Sequence, residues 1–399
     1  MKSFLAALLA CMLLLSAGCT QAQHEIKIEK PEENTADFHE IDAAEKIAGG
    51  VLFRDGSKLC FDKGGKVTEL ADEVHSLWRE DNEIYYDSAD VLYSYNFDTA
   101  STKTLAKNPQ RILGKYKDSI ISYAGRNIYA INEAGKTAVF KDGYYLNSAV
   151  LYKNKVYGIP ATNVYEYDLD TLEVKKVTKN RHDLSQLSTI GDDLYIVTQR
   201  YKDLADEKCS STYFKLTDDS AEKEFTLKNP GFSGDLEPVK DGFFLSATLG
   251  RDDTSEGCKL LYIQDGKHTS IDEDYIFELV GISDNKLLYY KNNFVYGSFG
   301  ENMTSFYLFD GQSITPAFDL QPGSYEAIDG YTYDDGVLIE ISHESSVSLY
   351  KYDGQTLEEL DTPYIFSIIA LDIIDGKAYI RYSDGEESTD ILGTIIALD

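Results

Sequence analysis

The sequence predicts an all-β chain whose strands recur as small sheets closed into a ring, a β-propeller of four-stranded blades. Three observations predict it. Residues 164–171, Val-Tyr-Glu-Tyr-Asp-Leu-Asp-Thr, have counterparts from one end of the chain to the other. In each unit a polar turn pair precedes an apolar strand at a matching offset. Aromatic and β-branched residues fill the strands, only eight prolines occur, and no apolar period near 3.6 persists.

The first eighteen residues stand apart from this pattern. Lys2 is followed by an apolar run over residues 4–15, shorter than a bilayer span and suited to a signal-peptide core. Residues 15–19 read Leu-Ser-Ala-Gly-Cys, which resembles the lipobox of bacterial lipoproteins, though Ser16 stands where leucine is commonest. The resemblance implies a chain acylated on Cys19, anchored by lipid to a bacterial membrane and otherwise extracytoplasmic. An ordinary secretory signal is the alternative. Residues 19–37 are polar, contain Pro31 and lack periodicity, as expected of a flexible tether. Residues 38–399 are expected to form the propeller domain.

Aligning the tyrosine motif gives nine copies, centred near Cys60, Tyr93, Tyr129, Tyr165, Tyr213, Tyr262, Tyr307, Tyr350 and Ile396. From Tyr93 onward, the tyrosine spacing runs from 36 residues (Tyr93 to Tyr129) to 49 (Tyr213 to Tyr262), the length of a four-stranded blade. Each unit opens with a strand ending in a turn such as Asp81-Asn82, Lys153-Asn154, Asp284-Asn285 or Asp375-Gly376. An apolar strand follows, for example Leu287-Leu288-Tyr289-Tyr290; the tyrosine motif is the third strand and a polar fourth strand ends the unit. A lone four-stranded sheet has open edges and unburied faces, so the units must pack around an axis. The first unit is short and the last stops after its motif. Eight blades are favoured, with seven or nine admitted, and the segment near residues 38–41 or the first hairpin is expected to complete the last blade.

Charge narrows the partners. The chain carries a net −30, and loss of Lys2 with the leader takes it to −31. A nucleic-acid partner needs a basic face and is disfavoured; acidity of this kind serves solubility. The six histidines are scattered and no cysteine cluster accompanies them, so neither a metal site nor a cofactor is expected. Nucleotide-loop and nucleophile-elbow motifs are lacking. Cys60 sits in an apolar strand; Cys209 and Cys258 occupy equivalent loops of neighbouring units and are candidates for a disulfide outside the cytoplasm.

The tandem turn-Asp-Gly, Leu-Tyr-Tyr and Leu-Tyr-x-Tyr-Asp pattern resembles bacterial extracytoplasmic propellers of quinoprotein-like, Kelch-like and WD-like type, and propeller lipoproteins in particular. The resemblance covers roughly residues 45–399. It implies an exposed binding scaffold and carries no catalytic residues across. The connections between units, and the turns between second and third strands, are expected on one face. They carry His75, Trp78 and Arg79, then Arg111, Tyr145, Arg181, His182, Tyr275, Tyr325 and Tyr364. Aromatic planes with a few cations suit peptides or sugars; packing between blades is the competing role for each aromatic. The leading function is a lipid-anchored scaffold binding a protein, peptide or carbohydrate, with no enzymatic role assigned. The alternatives are a propeller hydrolase or lyase on polysaccharide or peptide, and a structural part of an envelope assembly.

Overall fold

The computed structural model describes residues 26–29, 38–109, 111–141, 146, 148–160, 163–177, 184–190, 193–201, 209–216, 221–228, 230–249, 257–274, 277–292, 304–320, 325–333, 336–385 and 391–398. Among these residues 36 strands form nine antiparallel sheets that follow one another along the chain. The sixth sheet shows the plan: Pro230–Val239, Gly242–Leu249, Gly257–Gln264 and Lys267–Asp274 pair in sequence order. Leaving aside His39–Glu40, which adds a fifth strand to the second sheet, the tyrosine motif is the third strand of every sheet, from Lys58–Lys63 in the first to Leu392–Ala397 in the ninth. The sheets occupy residues 44–71, 74–107, 111–140, 148–176, 184–228, 230–274, 277–320, 325–359 and 367–397.

The predicted turns have the backbone that tight hairpins demand. Asp284 and Asn285 both have positive φ, as do Asp265 and Gly266, and Asp375 and Gly376. The aspartates of the motif close the next turn by accepting backbone N–H groups. Asp168 Oδ1 accepts from Asp170 and Thr171, both at 2.9 Å, and Asp353 Oδ1 accepts from Gln355 at 2.8 Å and Thr356 at 2.7 Å.

Second strands are buried on both faces, which is why they read as continuous apolar runs rather than as alternation. In Gly242–Leu249, Phe243, Leu245 and Ala247 pack on Tyr195 and Val197 of the fifth sheet. Phe244 points the other way, onto Leu287 and Tyr289 of the seventh. Nine apolar clusters result, one at each junction between consecutive sheets. The ninth cluster joins the last sheet to the first, through Tyr379, Ala370 and Ile374 against Ala43, Ala44, Phe53 and Cys60. The sheets therefore close into a ring, and the chain is a β-propeller.

Closure departs from expectation in its means. His39–Glu40 does not complete the last blade; it pairs antiparallel with Val74–Glu80, the inner strand of the second sheet, with His39 opposite Arg79 and Glu40 opposite Trp78. The ninth sheet has three strands among the described residues, and it meets the first by face packing. A second departure lies within residues 19–37. The Ile26 amide donates to Gly311 O at 3.2 Å, the Lys240 amide donates to Glu29 O at 2.8 Å, and Ile28 is buried among Val239, Leu279 and Phe309. These four residues clasp the turns of the sixth and seventh sheets, because an Ile-x-Ile alternation puts Ile26 and Ile28 on one face, against that junction.

Candidate functional site

The residues where the ring closes combine burial, charge and concavity. Asp372, on inner strand Ser367–Ile374, accepts the amides of Ala43 at 2.7 Å and Ala44 at 2.8 Å, and so fixes the start of the first sheet. Burial raises its carboxyl above the ordinary range, opposed by those two N–H groups. Arg54 and Arg381, each 6% exposed, come from the second strands of the first and ninth sheets. Arg54 donates to the carbonyls of Val74 and His75, which ties the first sheet to the second. Burial, with the Arg381 charge nearby, pulls the Arg54 guanidinium down to about 10. Arg381 donates to Asp42 O at 3.4 Å. Burial also raises Glu40 and Asp87.

On the rim formed by turns between first and second strands, a cleft of about 430 Å³ opens where the first, second and ninth sheets meet. Its walls include Lys46, Asp62, Arg79, Asp375, Lys377 and Tyr379. Its lining includes the turns at Gly49 and Gly64-Gly65, which have positive φ and open space where a Cβ would stand. Lys46 Nζ and Asp375 Oδ1 lie 2.5 Å apart across the closing junction, and Arg79 pairs with Glu45. His39 Nε2 also meets Glu45 Oε2 at 2.8 Å. Burial, then Asp62 and Asp375, raise the Tyr379 phenol. A second groove of about 270 Å³ lies on the outer side of the same junction and shares Tyr379.

The expected ligand residues do not assemble as one surface. The connections and the turns between second and third strands do share a face: Val74 N–H donates to Ser57 O, Leu146 N–H to Gly125 O and Val347 N–H to Ile365 O. His75 is exposed there. Arg111 is exposed there too and donates to Tyr123 Oη at 3.1 Å, while Tyr364 donates to Ser345 O at 2.5 Å. They stand at three different connections. Trp78 is corrected: it is buried between the second and third sheets against Tyr85, Ile120 and Ile131, since a strand seven residues long carries its middle into the junction. Arg79 is corrected as well. It lies at the far end of that strand, donating to Asp81 O at 2.9 Å and Lys46 O at 2.8 Å, and so belongs to the cleft on the opposite rim. The backbone of Tyr325 begins an inner strand opposite His343. Cys19, Tyr145, Arg181, His182 and Tyr275 lie outside the described residues, as does the side chain of Cys209. Cys258 is buried with Leu260 and Tyr262 in the cluster shared with the seventh sheet, and a mass change on reduction is the test of the expected bridge.

The residues that sequence reasoning missed are Lys46, Asp62, Lys377 and Tyr379, with Arg54, Arg381 and Asp372 behind them. A signal was present, because charged residues inside apolar second strands (Arg54 after Leu52-Phe53, Arg381 after Tyr379-Ile380) mark a special junction.

No protein-family model and no curated protein matches this chain. Among solved structures, the β-propeller domain of the trilobed protease from Pyrococcus furiosus aligns at 16% identity, covering 80% of this chain and 93% of its own, with a TM-score of 0.40. Polysaccharide lyase Uly1 aligns at 13% identity over 95% of both chains, with a TM-score of 0.42. Dipeptidyl peptidase 4 from Porphyromonas gingivalis aligns at 10% identity over 96% of this chain and 60% of its own, with a TM-score of 0.48. At these scores the likenesses carry no functional argument; the propeller assignment rests on the sheets and their nine junctions.

Proposed function

We propose that this chain is an extracytoplasmic binding scaffold, held at a bacterial membrane through acylated Cys19, that takes a protein or peptide ligand at the junction where its ring closes. The observation that carries the reading is the open cleft of about 430 Å³, lined by glycine turns and by charges of both signs. Such a surface offers hydrogen bonds and ion pairs to a polypeptide. Its exposed pairs contribute little to folding, about 0–1 kcal/mol each, so they are available for recognition at small cost to stability.

The test uses chain 20–399, without lipid, immobilised and presented to peptide and glycan arrays, beside the double variant Lys46→Glu/Lys377→Glu. The expected result is peptide binding that weakens about tenfold or more in the double variant, as loss of close charge pairs predicts, with an unchanged unfolding midpoint. Identical binding profiles for the two proteins would overturn the placement of the site. Turnover of an array glycan or peptide would overturn the scaffold reading in favour of a hydrolase or lyase. Anchoring is tested separately: Cys19→Ala should move the protein from the membrane fraction to the soluble one.

A further inference from the structure

Among the described residues the ninth sheet has three strands where the others have at least four. Ser367–Ile374, Lys377–Ser383 and Leu392–Ala397 correspond to the first three strands of the other sheets, and each of those has a fourth, such as Lys66–Ala71 or Leu357–Glu359, on the tyrosine-motif strand. Among the described residues nothing pairs with the outer side of Leu392–Ala397. Its row of outward N–H and C=O groups is a template for another strand.

The edge also lacks the usual protection. Outer strands elsewhere carry charge, as in Lys66–Ala71 and Ser101–Lys107. Residues 391–398, Ile-Leu-Gly-Thr-Ile-Ile-Ala-Leu, contain neither a charge nor a proline. Ile391, Leu392 and Ile395 are 37%, 36% and 48% exposed. Beside the edge runs the groove of about 270 Å³, walled by Phe53, Asp55, Tyr379, Gly393 and Ile395. Gly393 keeps its floor low: a Cβ there would lie 2.7 Å from Asp55 Oδ1 and 2.9 Å from Asp55 Cα. Ile396 packs towards the eighth sheet, so alternation turns Ile395 to the groove.

Among the described residues, the chain's own N-terminal segments are engaged elsewhere. Residues 26–29 are held by Gly311 and Lys240, and His39–Glu40 pairs with the second sheet. A second copy would bring two bodies of net charge −30 together. Asp55 at the groove and exposed Asp384 beyond the neighbouring strand favour a basic occupant.

We propose that Leu392–Ala397 accepts an extended segment of a partner polypeptide, with alternating apolar residues and flanking lysine or arginine, as the antiparallel fourth strand of the ninth sheet. This rests on the scaffold reading above and adds to its cleft a second place of contact, the outer edge of the ninth sheet. The segment's backbone completes the ladder, one row of its side chains enters the groove against Ile395, and a flanking cation faces Asp55.

The experiment uses chain 20–399 and an acetylated octapeptide of alternating isoleucine and threonine with a terminal lysine at each end. Its controls are the same peptide N-methylated at alternate amides and a version with glutamate for lysine. Saturable anisotropy, slowed amide exchange confined to residues 392–397, and binding about tenfold weaker for both controls, as a lost ladder and a reversed charge predict, support the proposal. Ile395→Lys should weaken binding similarly at an unchanged unfolding midpoint, and Asp55→Asn should weaken only the lysine peptide. Equal binding of the N-methylated peptide, or protection elsewhere, would overturn it. A dimer in sedimentation that Ile395→Lys abolishes would also overturn it, in favour of a second copy. If the octapeptide fails while array ligands still bind through Lys46 and Lys377, strand addition is wrong and the scaffold reading stands.

Discussion

Phe53→Ala probes the closure of the ring by face packing alone. Phe53 is buried, and its ring centroid lies 5.7 Å from that of Tyr379 across the junction between the first and ninth sheets. Truncating a buried phenylalanine costs roughly 3–5 kcal/mol. The outer groove lets water reach the vacated space, which places the expected loss at the lower end, about 3 kcal/mol. Of this, the aromatic pair accounts for about 0.5–1.5 kcal/mol, which a double-mutant cycle with Tyr379→Ala should recover as coupling. Against a domain stability of roughly 5–15 kcal/mol the change is large. The closing cluster holds five buried apolar residues among those described, whereas the junction between the sixth and seventh sheets holds eleven. Loss should therefore appear first where the ring closes. Urea unfolding followed by far-ultraviolet dichroism gives the cost, and amide exchange locates it, with Ser367–Ile374 and Lys377–Ser383 opening before the rest. A cost below about 1 kcal/mol, typical of a surface change, or coupling near zero, would show that these two sheets do not pack as described.

Other outcomes follow from charge and clasp. Burial raises Glu340, Asp372, Glu40 and Asp87, so the folded chain takes up protons there at a higher pH than the unfolded chain does, and stability rises as pH falls through their folded values. Backbone N–H bonds hold Asp168, Asp310 and Asp353 low, so below about 4 the unfolded chain takes up protons first and stability is lost as pH falls through the folded values. The melting temperature should peak in mild acid, and Glu340→Gln, which keeps an acceptor for the Tyr331 hydroxyl, should flatten the rise; a peak above pH 7 would refute the assignment. Ile28→Asp should release residues 26–29, removing exchange protection from the Ile26 and Lys240 amides while the other junctions keep theirs. Protection that persists at both amides would show that the clasp does not depend on this side chain.

Much of the fold was legible because the repeat states it twice. The motif marks third strands, and the apolar runs between turns mark second strands buried on both faces, as Phe243 and Phe244 illustrate by facing different neighbours. What could not be read was which sheets meet at the seam. Period-two patterning says which side chains share a face, yet it does not say that His39–Glu40 pairs with the inner strand of the second sheet, nor that the last sheet has three strands among the described residues. The cleft suffered most from this. Lys46 and Asp375 are 329 positions apart and look like ordinary turn residues, and only closure brings them together. Trp78 and Arg79 adjoin in sequence, but alternation along the strand turns Trp78 into the junction with the third sheet and Arg79 towards Glu45 and Lys46 of the first.

That seam offers the most direct measurement. Lys46 Nζ and Asp375 Oδ1 are 2.5 Å apart, and Lys58 Nζ and Glu69 Oε2, within the first sheet, are 3.0 Å apart. A zero-length carbodiimide cross-linker applied to dilute monomer should join both pairs, and peptide mass mapping should recover residue 46 covalently bound to residue 375. Recovery of the Lys58–Glu69 link alone would mean that the first and last sheets do not meet.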